Sequence, residues 1–323
     1  MPRFHYLVVI AGLVSTSLTT ACDRPEPSLT IDSTELVVPA AVDSVELEVP
    51  MEFSSWDRSA GQVFAVRGAQ PTDASVVYPT YTDSTLPDTV RFSGAGVRNA
   101  TMEAFDRSGL VGKLHLSKTT AEEWIAPSCI DWPSASVEPV GGSAIPSWTV
   151  AFLEGRVRPV PLDSIETLSR SDSARIAAEA TRLASALPRD TALAFRGIPF
   201  SVRSVYRFHS AAGVDGLLAD VIRRVNQEAN PLEEHILLVA ERDSAAGQRD
   251  VATRYRTVYF ERTSGTEETV ETTEILAAIT LRSPPRTGLV LGRVGQESGA
   301  YSLLERSRDG RWRVRWTSVH TGC

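Results

Sequence analysis

Long apolar runs are scarce in this chain of 323 residues. The run near its start covers nine residues, Tyr6 to Val14, and gives way to serine and threonine. Because a helix needs about 20 apolar residues to cross a bilayer, this run is too short to favour a membrane-spanning anchor. Cysteine is scarce too, and its three residues allow at most one disulfide.

Basic residues are outnumbered by acidic ones. The chain has 33 Lys and Arg, only two of them lysine, against 40 Asp and Glu, so its net charge is −7. Arg3 is the only charged residue among the first 21, and removal of that segment would leave a net charge of −8. Nucleic-acid binding depends on clustered basic side chains, so the composition predicts no nucleic-acid partner.

The signatures of several common catalytic sites are missing. The sequence has no G-x-S-x-G elbow, no Walker loop, no C-x-x-C and no H-E-x-x-H, and the glycines of the segment 94–96 lack the third glycine of a dinucleotide-binding loop. We therefore expect no cofactor and name no catalytic residue. An enzyme whose site is assembled from distant residues stays open.

Metal-binding patterns are weak as well. The histidines that follow the leader, at 115, 209, 235 and 320, are too far apart in sequence to indicate a ligand set. The acidic residues between Glu267 and Glu274 lack the aspartate-rich spacing of a calcium loop. We expect no metal site.

The first 22 residues have the anatomy of a secretion signal, with a cation at Arg3, the apolar run and then small residues. The segment 18–22, LTTAC, resembles the cleavage box of bacterial membrane lipoprotein precursors. That resemblance implies a signal peptide at 1–21, an acylated Cys22, the lipid bilayer as a partner and a membrane anchor at the cell envelope. Two alternatives are cleavage near Ala21 without acylation, giving a secreted protein, and a retained leader.

The cysteine count agrees with acylation. An odd number of cysteines in an oxidising compartment leaves one thiol over. Acylation of Cys22 would remove that thiol, and Cys129 and Cys323 would then be free to form a disulfide. Two reduced thiols are the alternative.

The length favours two domains, and the patterning predicts a mainly β protein. After a tether at 22–28, alternating apolar residues predict a β-sandwich-like domain at 29–125, with strands at 35–38, 45–49, 62–66, 76–81, 89–92 and 110–116. The range 126–146 is rich in proline and glycine and is interpreted as a linker.

The range 147–323 predicts an α+β domain with a curved antiparallel sheet, two helices and a C-terminal β-meander. One helix begins near Asp172, and its apolar face carries Ile176, Ala180, Leu183 and Leu187. The second helix is predicted at about 215–226. The remaining predicted strands are 148–153, 192–200, 202–209, 235–241, 254–261, 270–281, 288–294, 301–305 and 312–318.

The last hairpin carries the sharpest local pattern. Asp309-Gly310 is a turn signal, and beyond it Arg311, Arg313 and Arg315 alternate with apolar residues. A period of two would place the three guanidinium groups on one face and the indoles of the segment on the other. One interpretation is a core strand with a solvated outer face, and the other is a cationic strip that binds an anionic glycan or a lipid headgroup.

Three functions follow as hypotheses. The leading one is an uncharacterised, non-catalytic envelope lipoprotein that acts as an interaction or assembly module, with an envelope protein or an anionic glycan as its partner. The second is a carrier or sensor with a small-ligand pocket in the C-terminal domain. The third is a hydrolase with a site assembled from distant residues.

Overall fold

The computed structural model describes the following residues, all within one compact unit, Met51–Cys323: 58–61, 63–77, 100–119, 132, 134–142, 147–188, 193–226, 230–244, 254–282, 284–296, 298–318 and 320–322. The leader, Cys22, Cys129 and Cys323 lie outside the described residues, as do the strands predicted at 35–38, 45–49 and 89–92. The acylation and the disulfide therefore stay predictions.

Six short strands form a closed antiparallel barrel in the order β1-β2-β5-β4-β3-β6. These strands are β1 (Phe64–Arg67), β2 (Asp73–Val77), β3 (Thr101–Asp106), β4 (Gly109–Thr119), β5 (Ser134–Pro139) and β6 (Val150–Leu153). The predicted sandwich is corrected to a barrel, because β6 pairs with both β1 and β3 and so leaves no open edge. β5 lies in the range interpreted as a linker, and β6 lies in the range assigned to the second domain.

The remaining described strands form two more antiparallel sheets. Their strands are β7 (Val157–Pro159), β8 (Asp163–Ser164), β9 (Ser201–Ala211), β10 (Val214–Val225), β11 (Leu232–Asp243), β12 (Arg256–Thr266), β13 (Thr272–Arg282), β14 (Pro285–Val294), β15 (Ser298–Arg306), β16 (Trp312–Thr317) and β17 (Thr321–Gly322). A five-stranded sheet has the order β12-β11-β10-β9-β8, and a six-stranded sheet has the order β16-β15-β14-β13-β7 with β17 beside β15. The C-terminal meander of the sequence prediction corresponds to β9 to β16.

The helix α1 (Arg170–Ser185) confirms the first predicted helix. Its N-cap is Ser169, whose hydroxyl accepts a hydrogen bond from the backbone N–H of Asp172 at 3.2 Å. Ile176, Ala180 and Leu183 recur at helical spacing, and all three are buried against the outer face of the five-stranded sheet. Among the described residues, no helix combines the length and the apolar character that crossing a membrane requires.

The second predicted helix, 215–226, is wrong, because this segment is the central strand β10. Its residues Leu217 to Val221 are buried on both sides, with the helix core on one face and the six-stranded sheet on the other. A strand covered on both faces carries a continuous apolar run, and such a run also satisfies the i, i+3, i+4 spacing of an amphipathic helix. The described residues thus contain one α-helix. The segment predicted as a strand at 192–200 instead contains a 3₁₀ turn, Leu193–Phe195.

Three apolar interfaces connect these layers. Leu237, Leu289 and Trp312 belong to the core between the two large sheets. Phe152 and Leu303 belong to the core between the barrel and the opposite face of the six-stranded sheet. The interior of the barrel and the contact between α1 and the five-stranded sheet have cores of their own. The six-stranded sheet is therefore covered on both faces.

Candidate functional site

An open groove lies beside the turn between β15 and β16, and we call it the hairpin groove. Its volume is about 700 Å³. Residues from β14, β15, β16 and the connecting turns line it: Pro284, Arg286, Glu305, Ser307, Arg308, Asp309, Arg311, Trp312 and Arg313. Four of these nine residues are arginines and two are acidic, so the groove is cationic in an acidic protein.

Local hydrogen bonds fix the turn that carries the groove. The backbone N–H of Ser307 donates to the carbonyl of Arg311 at 2.7 Å, and the carboxylate of Asp309 accepts from the backbone N–H of Arg311 at 3.3 Å. Gly310 has a φ of +79°, which glycine adopts without strain. The turn predicted from Asp309-Gly310 is therefore confirmed.

The floor of the hairpin groove consists of charges that are already paired. Glu305 is buried and its carboxylate lies 3.3 Å from Arg286. Behind it, the buried carboxylate of Glu241 accepts hydrogen bonds from Arg306 at 2.7 Å and from the indole Nε1 of Trp312 at 2.8 Å. Burial alone would raise the pKa of Glu241, but these hydrogen bonds and the nearby guanidinium hold it below its usual value.

The rim carries the exposed cations. Arg308 and Arg313 are exposed and form no ion pair with another described residue. The side chain of Arg311 is 86% exposed, and its partner Asp309 lies 3.5 Å away. Such an exposed pair contributes little to stability. The three rim arginines are therefore available to an anion from solvent.

The structure brings together only two of the three arginines of the predicted strip. Arg311 and Arg313 line the hairpin groove, and Arg315 does not. The pairing of β16 with β15 shifts from Leu304↔Val314 to Leu303↔Trp316, so Arg315 is the extra residue of a β-bulge. The bulge also places Trp312 and Trp316 in different cores on opposite faces of the sheet, whereas strict alternation predicts one face.

A second polar site lies between the two large sheets, and we call it the inter-sheet cleft. Its volume is about 340 Å³, and its lining includes Arg203 and Asp220. The carboxylate of Asp220 is buried and lies 3.5 Å from the guanidinium of Arg203, which is the extra residue of a bulge between β9 and β10. Burial raises the pKa of Asp220, and the charge of Arg203 only partly opposes this.

His235 lies next to this cleft, and each of its ring nitrogens has a hydrogen-bond partner. Its Nδ1 lies 3.3 Å from Arg203, which can only donate, so Nδ1 accepts and the ring proton is on Nε2. Nε2 then donates to the carboxylate of Glu233 at 2.8 Å. A histidine with no vacant ring nitrogen is poorly placed to take a proton from a serine hydroxyl. The described residues thus offer no serine–histidine pair at this cleft.

The cluster of Arg203, Asp220 and His235 was not predicted from the sequence, although the sequence carries one signal of it. Asp220 interrupts the apolar run of the segment 217–222, and an acid inside such a run indicates a buried carboxylate once the segment is read as a strand. The acidic cluster near Glu267 behaves differently, since three of its four members pair with separate arginines: Glu267 with Arg224, Glu271 with Arg293 and Glu274 with Arg107. Within the described part of the chain, no group of three or more His, Cys, Asp or Glu could hold a metal ion.

Comparisons of this chain with models of protein families, with curated proteins and with solved structures found no match.

Proposed function

We propose that this chain is a non-catalytic interaction module of the bacterial cell envelope, whose hairpin groove binds an anionic glycan. The observation that carries the proposal is the arrangement of Arg308, Arg311 and Arg313, three exposed guanidinium groups around one open groove in a protein of net charge −7. Because the buried carboxylates of the floor are paired with other arginines, the rim charges are left for an external anion.

The shape of the groove favours a polymer over a single small anion. An open channel of about 700 Å³ exceeds the volume of one carboxylate or sulfate group, and its arginines are spread over the turn and β16. A glycan with repeated acidic sugars would meet them with several groups at once. Each contact would be weak in solvent, and their sum would give affinity that falls with ionic strength.

A retention experiment tests this proposal. The protein is passed over immobilised polygalacturonate, with neutral dextran as the reference matrix. We expect retention on polygalacturonate alone and at least a tenfold loss of affinity when Arg308, Arg311 and Arg313 are changed together to Gln. The matched control changes three exposed arginines that do not line the groove, Arg158, Arg170 and Arg282, to Gln. Equal losses of affinity in both triple variants would show that the effect comes from the net charge of the protein, and this result would refute the proposal.

The envelope location rests on the sequence of the leader. We propose that Cys22 is acylated and that the acyl chains hold the described body at the membrane, since two chains give firm retention. In a detergent phase split of the full chain expressed in a bacterium that processes lipoproteins, the native protein should enter the detergent phase. Cys22→Ser should move it to the aqueous phase, and a native protein already in the aqueous phase would contradict acylation.

A further inference from the structure

A third opening lies on the outer face of the five-stranded sheet, between the C-terminal end of α1 and the loop that follows Phe195. We call it the helix pocket. Its volume is about 500 Å³, which is within the usual range for small-ligand sites. Apolar side chains form one wall, with Leu187, Ile198 and Phe200 among them, and arginine side chains form the base and the mouth.

Arg223 forms the base and is held in place from several directions. Its side chain is 10% exposed, and its guanidinium group lies between the rings of Phe195 and Phe200, 5.3 and 4.6 Å from their centroids. It donates to the buried carboxylate of Glu234 at 2.6 Å and to the carbonyl of Phe195 at 3.0 Å. A cation fixed in this way is preorganised, so a ligand would not have to order it.

The residues that line the helix pocket include three arginines and, within the described chain, no acidic side chain. Arg196 is exposed at the mouth, while Arg223 and Arg262 lie deeper. Glu234 lies beneath the base and does not line the pocket. An anion that enters the pocket therefore meets positive charge without a competing carboxylate at the surface.

We propose that the helix pocket binds a small organic acid, with its carboxylate toward the arginines and its apolar body against the wall of Leu187, Ile198 and Phe200. The apolar wall disfavours a bare inorganic anion, because half of the lining would then gain nothing from the contact. The guanidinium groups disfavour an uncharged apolar molecule, because filling the pocket would remove water from them without a replacement partner. An anionic head joined to an apolar body gives the arginines a charged partner and gives the apolar wall an apolar contact.

Calorimetry with three probes tests the proposal. Decanoate supplies both parts, decanol supplies the apolar body alone, and acetate supplies the head alone. The full chain carries Cys22→Ser, so that no covalent acyl chain competes. We expect decanoate to bind at least tenfold more tightly than either of the other two probes. Equal binding of decanol, or no binding of decanoate, would overturn the proposal.

Two substitutions at exposed or half-exposed positions locate the site without disturbing the buried pair of Arg223 and Glu234. Arg196→Gln removes the charge at the mouth and should weaken decanoate about fivefold. Ile198→Glu places a like charge on the wall and should weaken it at least tenfold. Arg170→Gln, at the far end of α1, is the control and should change nothing. Unchanged affinity in the Ile198→Glu protein would exclude this pocket.

The anionic headgroup of a membrane lipid has the same chemistry as a free organic acid. A flotation assay distinguishes these two sources of the ligand. If the Cys22→Ser chain floats with phosphatidylglycerol vesicles, loses that property with Ile198→Glu and does not bind decanoate, the ligand is a headgroup and the small-acid proposal fails. Decanoate binding with no vesicle association supports it. The comparison with Ile198→Glu isolates the helix pocket, since Arg308, Arg311 and Arg313 of the hairpin groove are the same in both proteins.

Discussion

Arg306 of β15 donates two hydrogen bonds, of 2.7 and 3.1 Å, to the two carboxylate oxygens of Glu241 in β11. The two residues belong to different sheets, so this bidentate pair connects the five-stranded sheet to the six-stranded sheet. The indole of Trp312 donates to the same carboxylate. A buried carboxylate with three donors has few ways to rearrange, and we infer that the pair fixes how the two sheets meet beneath the hairpin groove.

Removal of this carboxylate charge should destabilise the fold. Glu241→Gln would leave the guanidinium of Arg306 largely buried without its counter-ion, and we expect a loss of about 2 kcal/mol in the free energy of unfolding. Urea denaturation measures the change. The control is Glu274→Gln, which breaks the solvent-exposed pair with Arg107 and should cost about 0.5 kcal/mol or less. Equal losses in the two variants would show that the inter-sheet pair has no special role.

The loss of unfolding free energy in Glu241→Gln should depend on pH, and the sign of this dependence follows from the pKa of Glu241. Because the pKa of Glu241 is lower in the folded protein than its ordinary value of 4.5, its ionised form stabilises the fold above pH 4.5. This contribution is lost as the pH falls through the folded-state pKa. The difference in stability between the native protein and Glu241→Gln should therefore be constant near neutral pH and shrink in acid. A difference that grows in acid would contradict the assignment.

Asp220 in the inter-sheet cleft should behave in the opposite way. Burial raises its pKa in the folded protein above the ordinary value of 3.8, so the ionised carboxylate destabilises the fold at neutral pH. Asp220→Asn removes that charge and keeps an oxygen toward Arg203, and we expect a gain of about 1 kcal/mol at pH 7. This gain in stability should shrink as the pH falls below the raised pKa of the folded protein, and it should be absent below pH 3.8. Urea denaturation across this pH range measures it, and a loss of stability at pH 7 would contradict the prediction.

Local patterns predicted the elements whose apolar residues face one side only. The helix α1 is an example, because Ile176, Ala180 and Leu183 face the sheet and the opposite side of the helix faces solvent. The sequence pattern of β10 indicates a helix because Leu217, Leu218, Val221 and Ile222 also satisfy helical spacing, although the strand is buried on both faces. Which neighbour covers a segment depends on the whole topology, and a local pattern does not contain that information.

The candidate site was predictable to a similar extent. The Asp309-Gly310 turn and the cationic character of Arg311 and Arg313 follow from adjacent residues. The exclusion of Arg315 follows from a bulge, which depends on the register with β15 and leaves no mark on β16 alone. The pair of Glu241 with Arg306 is equally non-local, because it joins β11 and β15 of two different sheets.

A glycine in β10 gives the most direct test of the packing between the sheets. A Cβ atom at Gly216 would lie 2.5 to 2.9 Å from three ring atoms of Phe208, well inside contact distance. That ring is buried and meets Trp312 edge to face at 6.0 Å, so it has no room to move away. Gly216→Ala should therefore cost about 1 to 3 kcal/mol of unfolding free energy through overpacking.

Two further variants assign that cost to the ring. Gly292→Ala, in β14, places a Cβ 3.7 Å from Leu276, which is an ordinary contact, and it should change stability by less than about 1 kcal/mol. Phe208→Leu shortens the opposing side chain, so the double variant with Gly216→Ala should be more stable than the sum of the two single losses predicts. Thermal and urea unfolding of the native protein, Gly216→Ala, Phe208→Leu and the double variant give the coupling energy between the two positions. Strict additivity would mean that the two residues do not meet, and the register of β9 with β10 would then be wrong.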